Sequence, residues 1–446
     1  MADVPTAIAS EKLVASFPGQ VQMRAPLAQA STTTLVRSLL LGKCFASPTL
    51  FPMCMKLMKV IINSNSALLS PDRNIFLRAL VRGLICNHFC AGVTPQEVKE
   101  KVASIKAQGY GGVILGFSRE IVVDDHEDGL MSEDTQRNSN DKCIGEWLHA
   151  NLDTLKLIGT GDYMNIKFTG AGQSTSEALL AKKSPSRQMQ EALDTIVRQA
   201  RSQGTCIWVD AEQQAFQPMV DKWAIDLMRK HNRDGQAWVY NTIQAYLKAS
   251  RQVVLEHMRL AKDEGWTLGI KLVRGAYLTS DMRERIWATK PETDENYNSI
   301  VRDVLSKSFP PFDKTSFPGV NLFVAGHNKE SIRMATKLVR DLVASGEDLK
   351  PVGYGQLQGM ADEVSCELVQ LRKAANDSTG LSEEEARLRR QMAPQPYKCL
   401  AWGSVSDCMH FLTRRAVENA TAMDRLQDGL VEVRAELKRR FLPFRS

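Results

Sequence analysis

The sequence predicts an α/β chain folded as a (β/α)8 TIM-type barrel with an N-terminal helical extension. Eight apolar runs of strand length begin near residues 112, 164, 206, 238, 269, 321, 352 and 397. Helical segments separate most of them. Strict βα alternation implies a parallel sheet, and eight units over about 330 residues suit a barrel. An open doubly wound sheet is the competitor. It would carry a glycine fingerprint after its first strand, but Gly170-Ala171-Gly172-Gln173-Ser174-Thr175 lacks the third glycine. That argues against a Rossmann dinucleotide site.

The elements follow in order. Thr94-Pro95-Gln96-Glu97 is a capping box with proline at the first helical position. Val98, Val102 and Ile105 then share one face, and Gly109 closes the helix. Gly112 to Phe117 is a short buried strand, and the acidic stretch Asp124 to Asp134 is expected as a solvated loop. Met164 to Phe168 is a strand with Lys167 inside it. A helix over Ser184 to Gln203 leads to Thr205–Asp210, a strand ending in a carboxylate. A helix over Met219 to Lys230 precedes the strand Ala237–Gln244, and a helix from about Leu247 to Glu264 precedes Leu268–Val273. Asp281 to Lys307 is expected to be largely helical. Val320 to Gly326 is a strand ending at His327-Asn328, and a helix over Glu330 to Ala344 follows. Val352 to Leu357 is a weaker strand with a helix to Lys373. Ala375 to Met392 reads as a polar connection. Tyr397 to Trp402 is the last strand, with helical sequence to about Arg440.

Composition bounds the rest. The 43% hydrophobic and 24% charged fractions are those of an ordinary globular chain. The net charge of +6 is modest, and no dense Lys/Arg block suggests a nucleic-acid groove. Nine cysteines are scattered without a C-x-x-C pair, a usage that suits a reducing compartment. Cys86-Asn87-His88-Phe89-Cys90 reads as buried thiols rather than a metal site.

From Leu13 to Pro71 there is no Asp or Glu, and Arg24, Arg37, Lys43, Lys56 and Lys59 lie among many Ser and Thr. That is the composition of an organellar transit segment, although Asp3 and Glu11 interrupt its start. A disordered leader without an address is the alternative. The apolar run Ser38 to Ile62 is broken by Lys43, Lys56 and Lys59, whereas a membrane helix needs about 20 consecutive apolar residues. The domain reading is a leader over 1–71, N-terminal helices over 72–111 and the barrel over 112–446. Insertions are expected at 120–160 and 375–395.

In a barrel, chemistry sits at the carboxyl ends of the strands. Lys167, Asp210, Gln244, Lys271, Tyr277, His327 and Gln356 lie in or just after these strands. Lys271 stands out, because a lysine in a buried parallel strand is costly unless its ammonium finds a partner. Gly275 and Ala276 then remove bulk where a flat ligand needs close backbone approach. Each residue also has a structural explanation. Lys271 could snorkel from a strand end, Asp210 could cap a helix, Gln244 could satisfy a backbone group, and His327 could be a core histidine. On the last helix Arg414 and Glu418 share a face at i, i+4, and apolar neighbours suggest partial burial of Arg414 and Arg415. Guanidinium groups suit a two-point clamp on a carboxylate.

Six motifs together resemble the proline dehydrogenase family. They are Val209-Asp210-Ala211-Glu212, Gln244-Ala245-Tyr246, Lys271-Leu272-Val273-Arg274-Gly275-Ala276-Tyr277, His327-Asn328, Gly355-Gln356-Leu357-Gln358-Gly359-Met360 and Arg414-Arg415-Ala416-Val417-Glu418-Asn419. The match runs from about residue 74 to 440 and looks like the monofunctional eukaryotic mitochondrial type. The resemblance implies a distorted barrel holding FAD. It implies oxidation of L-proline to Δ1-pyrroline-5-carboxylate by hydride transfer from C5 to flavin N5, the first step of proline catabolism. Electrons would pass to a quinone, with peripheral contact at the matrix side of the mitochondrial inner membrane. No metal and no nucleic acid are implied.

The family's roles carry over by position. Lys167, Arg414 and Arg415 resemble the residues that grip the proline carboxylate, and Asp210 the pocket carboxylate. Ala276, Tyr277 and Leu357 resemble the wall around the ring. Gln244 and Lys271 resemble contacts to the flavin ring. Val273, Arg274, Gly275, His327 and Asn328 resemble other FAD contacts, and Glu418 resembles a residue that orders the arginines or the cofactor. One position departs. Many members carry a tyrosine four residues before the glycine after the last strand, and here Cys399 stands there, with Gly403 as the glycine. That tyrosine helps exclude a 4-hydroxyl, so hydroxyproline dehydrogenase stays an alternative. A catalytically silent barrel scaffold and another FAD barrel of the methylenetetrahydrofolate reductase type are further alternatives.

Overall fold

The structure is a computed structural model that describes residues 25–62, 64, 66, 68–118, 133–278, 280–420 and 423–441. Nine strands run β1 Cys90–Gly92, β2 Gly112–Phe117, β3 Tyr163–Ile166, β4 Cys206–Val209, β5 Val239–Gln244, β6 Leu268–Val273, β7 Val320–Ala325, β8 Gly353–Leu357 and β9 Gln395–Trp402. Their order is β1-β9-β2-β3-β4-β5-β6-β7-β8, with β8 also paired to β9. That is a parallel (β/α)8 barrel with one added strand, as the eight apolar runs predict. The added strand, β1, has three residues and no period to betray it. The chain divides into two compact units, one of residues up to Val113 and from Gly326 onward, the other Ile114–Ala325.

In the unit Ile114–Ala325 the strands pair consecutively and in parallel from β2 to β7. Large aromatic side chains fill the space they enclose. The Trp208 and Phe323 rings lie 4.4 Å apart and Tyr163 packs on both at 4.9 and 5.1 Å. Gly269 in β6 lies against β5, where a Cβ would meet the Val239 carbonyl at 2.4 Å. Asn232 ties the starts of two strands together: its amide donates to the Val239 and Thr267 carbonyls at 2.8 and 2.9 Å. The helix Arg187–Ser202 starts at a Ser186 cap and buries Met189, Leu193, Ile196, Val197 and Ala200 at helical spacing.

In the other unit β8 and β1 pair with β9 in parallel. The capping box at Thr94 and Glu97 forms as read, opening the helix Pro95–Ala107. Cys86 and Cys90 are buried free thiols, and burial pushes the Cys86 thiol up to about 12. They pack with Ile61, Val81, Val405 and Cys408.

Several expectations change. The described part of the acid-poor segment is folded, as helices Pro26–Gln29, Thr32–Phe45 and Leu50–Ile62. Leu27 and Leu35 are 1% exposed and pack with Cys366 and Val433. The Arg440 guanidinium donates to the carbonyls of Leu27, Ala28 and Ala30 at 3.3, 3.0 and 2.7 Å. A disordered leader therefore fails for this stretch, because its apolar residues are core residues. Residues 1–24 lie outside the described set. So does most of the acidic stretch 124–134, while Glu133–Leu155, inside the expected insertion, is one helix. The polar connection Ala375–Met392 contains a helix, Glu383–Met392, with a Ser382/Glu385 capping box. Lys167 lies one residue past β3 rather than inside a strand. Of Asp281–Lys307, only Arg283–Arg285 and Lys290–Leu305 are helical. Among the described residues no single helix is long and apolar enough to cross a membrane.

Candidate active site

Alternation along a strand puts residues i and i+2 on one side, so Trp208 and Asp210 face the same way at the end of β4. On β6, Lys271 meets them. Its ammonium lies 2.5 Å from Asp210 Oδ1, with the side chains 12% and 13% exposed. It also lies 4.6 Å over the Trp208 ring. The second carboxylate oxygen of Asp210 accepts from Asn165 Nδ2 at 3.0 Å. Asn165 stands on β3, and Gly116 on β2 makes room for it: a Cβ there would meet the Asn165 amide at 2.4–2.8 Å. Removing one member of such a buried pair leaves a desolvated charge, at a cost of about 3–5 kcal/mol. The lysine in the apolar strand therefore has the partner that its burial demands.

Gln244 closes β5 and is 3% exposed. Its Oε1 accepts from the Ala276 amide at 3.1 Å. Its Nε2 is buried and has no hydrogen-bond partner among the described residues. A buried donor left unmade costs about 1–3 kcal/mol, so the position favours a ligand that brings an acceptor. The loop after β6 is fixed around it. Tyr277 donates from its hydroxyl to the Ala211 carbonyl at 3.1 Å, and the Tyr246 amide donates to the Arg274 carbonyl at 2.7 Å. Gly275 lies directly against the Tyr246 ring, where a Cβ would come within 2.4–2.5 Å. Tyr246 cannot retreat, because it is buried and its hydroxyl donates to Asp281. Val273 pairs in register with Gln244.

Two residues near these strand ends have local partners. Arg274 pairs with Asp294 at 2.7 Å and lies 4.4 Å over the Tyr297 ring. Glu212, quoted only as part of a motif above, is 3% exposed and accepts from the Phe168 and Thr169 amides at 2.8 and 3.2 Å. Those amides follow Lys167 directly, so Glu212 pins the turn that carries this lysine. Burial raises the Glu212 carboxyl above its ordinary range, and the Lys167 charge opposes that shift.

In the other unit the His327 ring follows β7, and its Nε2 accepts from the Leu357 amide at 3.1 Å. The proton of the neutral ring is thereby assigned to Nδ1. Asn328 caps the helix Lys329–Ala344, accepting from the Ser331 amide at 3.1 Å. Gln356, 1% exposed, bridges the Gly326 carbonyl at 3.2 Å and the Ser365 hydroxyl at 3.1 Å, a structural role. Leu357 and Cys399 are register partners on β8 and β9. A second buried strand lysine, Lys398, was missed: it is 3% exposed and pairs with Asp362 at 2.6 Å. The rule that singles out Lys271 would have found it. Arg414, Arg415 and Glu418 lie on the helix Val405–Ala420, and their side chains lie outside the described set.

Comparison with known proteins follows the same lines. Residues 98–428 match the family model described as proline dehydrogenase. A Schizosaccharomyces pombe protein named probable proline dehydrogenase, mitochondrial, is 29% identical over 414 residues, covering 79% of this chain and 78% of that one. Proline dehydrogenase 1, mitochondrial, of Caenorhabditis elegans is 27% identical, covering 82% of this chain and 54% of the relative. A Bos taurus hydroxyproline dehydrogenase is 31% identical, covering 56% of this chain and 50% of the relative. The chain thus spans about half the length of these two animal relatives. The proline utilization A structure from Bdellovibrio bacteriovorus shares the fold, with a TM-score of 0.60 at 14% identity over 93% of this chain and 41% of that one. With the family model covering most of its length, the chain belongs to the proline dehydrogenase family.

Proposed function

We propose that this chain oxidises L-proline to Δ1-pyrroline-5-carboxylate with FAD, and passes the electrons to a quinone at the matrix side of the mitochondrial inner membrane. The observation that carries the reading is the buried, unsatisfied Gln244 amide beside Ala276, in a unit whose strand ends also carry the Lys271–Asp210 pair. A donor without a partner and a fixed cation fit a ring rich in acceptors. FAD, when bound, supplies the two-electron acceptor for the proline C5 hydride.

The residues divide the remaining work. Gln244 and Lys271 hold the flavin ring, and Val273, Arg274, Gly275, His327 and Asn328 contact the rest of the cofactor. Asp210 fixes the Lys271 ammonium. Lys167, Arg414 and Arg415 bind the proline carboxylate, with Glu418 ordering the arginines. Ala276, Tyr277 and Leu357 wall the pyrrolidine ring. Orienting the substrate in this way is where gains of several kcal/mol arise in such reactions. Relatives named mitochondrial support the location.

The test is product formation. Purified protein supplied with FAD, L-proline and a soluble quinone should form an imine that o-aminobenzaldehyde traps. No trapped imine would overturn the reading.

Cys399 favours a second substrate. It lies in register with Leu357, and relatives named hydroxyproline dehydrogenase exist at 31% identity. Side-by-side kinetics on L-proline and 4-hydroxyproline decide it: comparable kcat/KM supports a roomier pocket, and no turnover of 4-hydroxyproline removes it.

A further inference from the structure

The helix Leu50–Ile62 shows solvent an apolar stripe. Leu50, Met53, Leu57 and Val60 recur at i, i+3, i+7 and i+10 and are 46–62% exposed. Met55 and Ile61 of the same helix are buried. Leu40 on the preceding helix and Phe76 on the following one are 62% and 84% exposed. Of the large apolar side chains exposed among the described residues, twelve lie between positions 36 and 84 and five elsewhere. Exposed apolar residues gathered like this mark an interaction surface.

The charge of the same stretch points to the partner. Residues 26–84 hold seven Lys and Arg against one acidic residue, Asp72. Their net charge of +6 equals that of the whole chain, so the remainder is balanced. Lys43, Lys56, Lys59 and Arg73 are exposed, and Lys56 and Lys59 flank the stripe. An apolar face with lysines along its border is the pattern of a helix that lies in a bilayer interface, drawn to anionic headgroups. Among the described residues neither helix is long and apolar enough to cross a bilayer by itself: Thr32–Phe45 and Leu50–Ile62 have 14 and 13 residues and are bent by 98° where they meet, so as a pair they would pass only as a broken or re-entrant span. A second copy of the chain fits less well, since two surfaces of the same strong charge would face each other.

We propose that the described residues of 36–62 and 68–84 form the surface by which this protein docks on an anionic lipid bilayer, with the helix Leu50–Ile62 lying in the interface. This deepens the membrane-linked reading above, and it rests on that reading only for the use made of the contact.

The experiment is flotation of the full FAD-loaded chain with vesicles of phosphatidylcholine, with and without phosphatidylglycerol, beside proline oxidation by a soluble acceptor. The chain should float with the anionic vesicles, more weakly at high salt. The double variant Leu57→Glu/Val60→Glu should bind them about tenfold less or worse, with soluble oxidation unchanged. Lys56→Glu/Lys59→Glu should lose the preference for anionic vesicles. Flotation of Leu57→Glu/Val60→Glu equal to the parent would overturn the proposal. So would a parent that oxidises proline but never floats, or one that dimerises through this face without floating. A protein that floats yet leaves proline untouched would overturn the proposed activity and leave the surface standing.

Discussion

Lys271 and Asp210 meet at 2.5 Å across the ends of two strands, with Asn165 on the far side of the carboxylate and Trp208 beneath the ammonium. The pair explains how a cation is tolerated in an apolar strand. Asp210→Ala should cost about 3 kcal/mol or more in urea unfolding, because it leaves Lys271 buried alone. Lys271→Met combined with Asp210→Ala should cost less than the sum of the single changes. Additive losses would show that the two residues are not coupled.

Glu212 acts through the turn that it holds, as a positioning residue. Glu212→Ala frees the Phe168 and Thr169 amides and should raise KM for proline by between about ten- and a hundredfold. Glu212→Gln keeps an acceptor oxygen and should stay near the parent. A KM equally raised in both variants would mean that the charge, not the hydrogen bonds, matters.

Gly275→Ala drives a methyl into the immobile Tyr246 ring. The loop after β6 must shift, and the Ala276–Gln244 contact shifts with it. Flavin content per chain after purification should fall, while the fold, read by circular dichroism, persists. Full flavin content would remove this loop from cofactor binding.

Arg415→Met should raise KM for proline strongly while flavin stays bound. An unchanged KM would take Arg415 out of the carboxylate clamp.

Acid stability has a readable sign. Burial pulls the His88 ring down to about 4 from its ordinary 6.5, with Arg37, Lys101 and Lys398 adding to the shift and Asp362 opposing it. The folded state therefore takes up the proton later than the unfolded one as pH falls. The contribution is present above pH 6.5 and is lost as pH falls toward 4, up to about 3 kcal/mol. His231 and His257 are lowered too, both by burial. His88→Gln should flatten the fall in melting temperature between pH 6.5 and 4 relative to the parent. An unchanged slope would assign it to the other groups.

The sequence made the barrel legible because its strands are apolar runs between amphipathic helices, and it made Lys271 legible because a charge in such a run needs a reason. What it hid depended on distance along the chain. Leu27 and Leu35 are core only because Cys366 and Val433 reach them, and no local pattern in a basic, acid-poor stretch announces that. The helix Glu383–Met392 was hidden differently. Its polarity suggested a connection, yet the capping box Ser382-Glu383-Glu384-Glu385 was there to be read. Asn328 shows the converse: the family pattern gives it a cofactor role, and locally it is also the cap that starts the next helix. Glu212 escaped because its partners are backbone amides some forty positions away.

The most direct test of the central claim is an anaerobic absorbance spectrum of the purified, FAD-supplied protein before and after L-proline. L-proline should bleach the flavin spectrum. A chain that takes up no flavin, or holds flavin that neither L-proline nor 4-hydroxyproline bleaches, would contradict it.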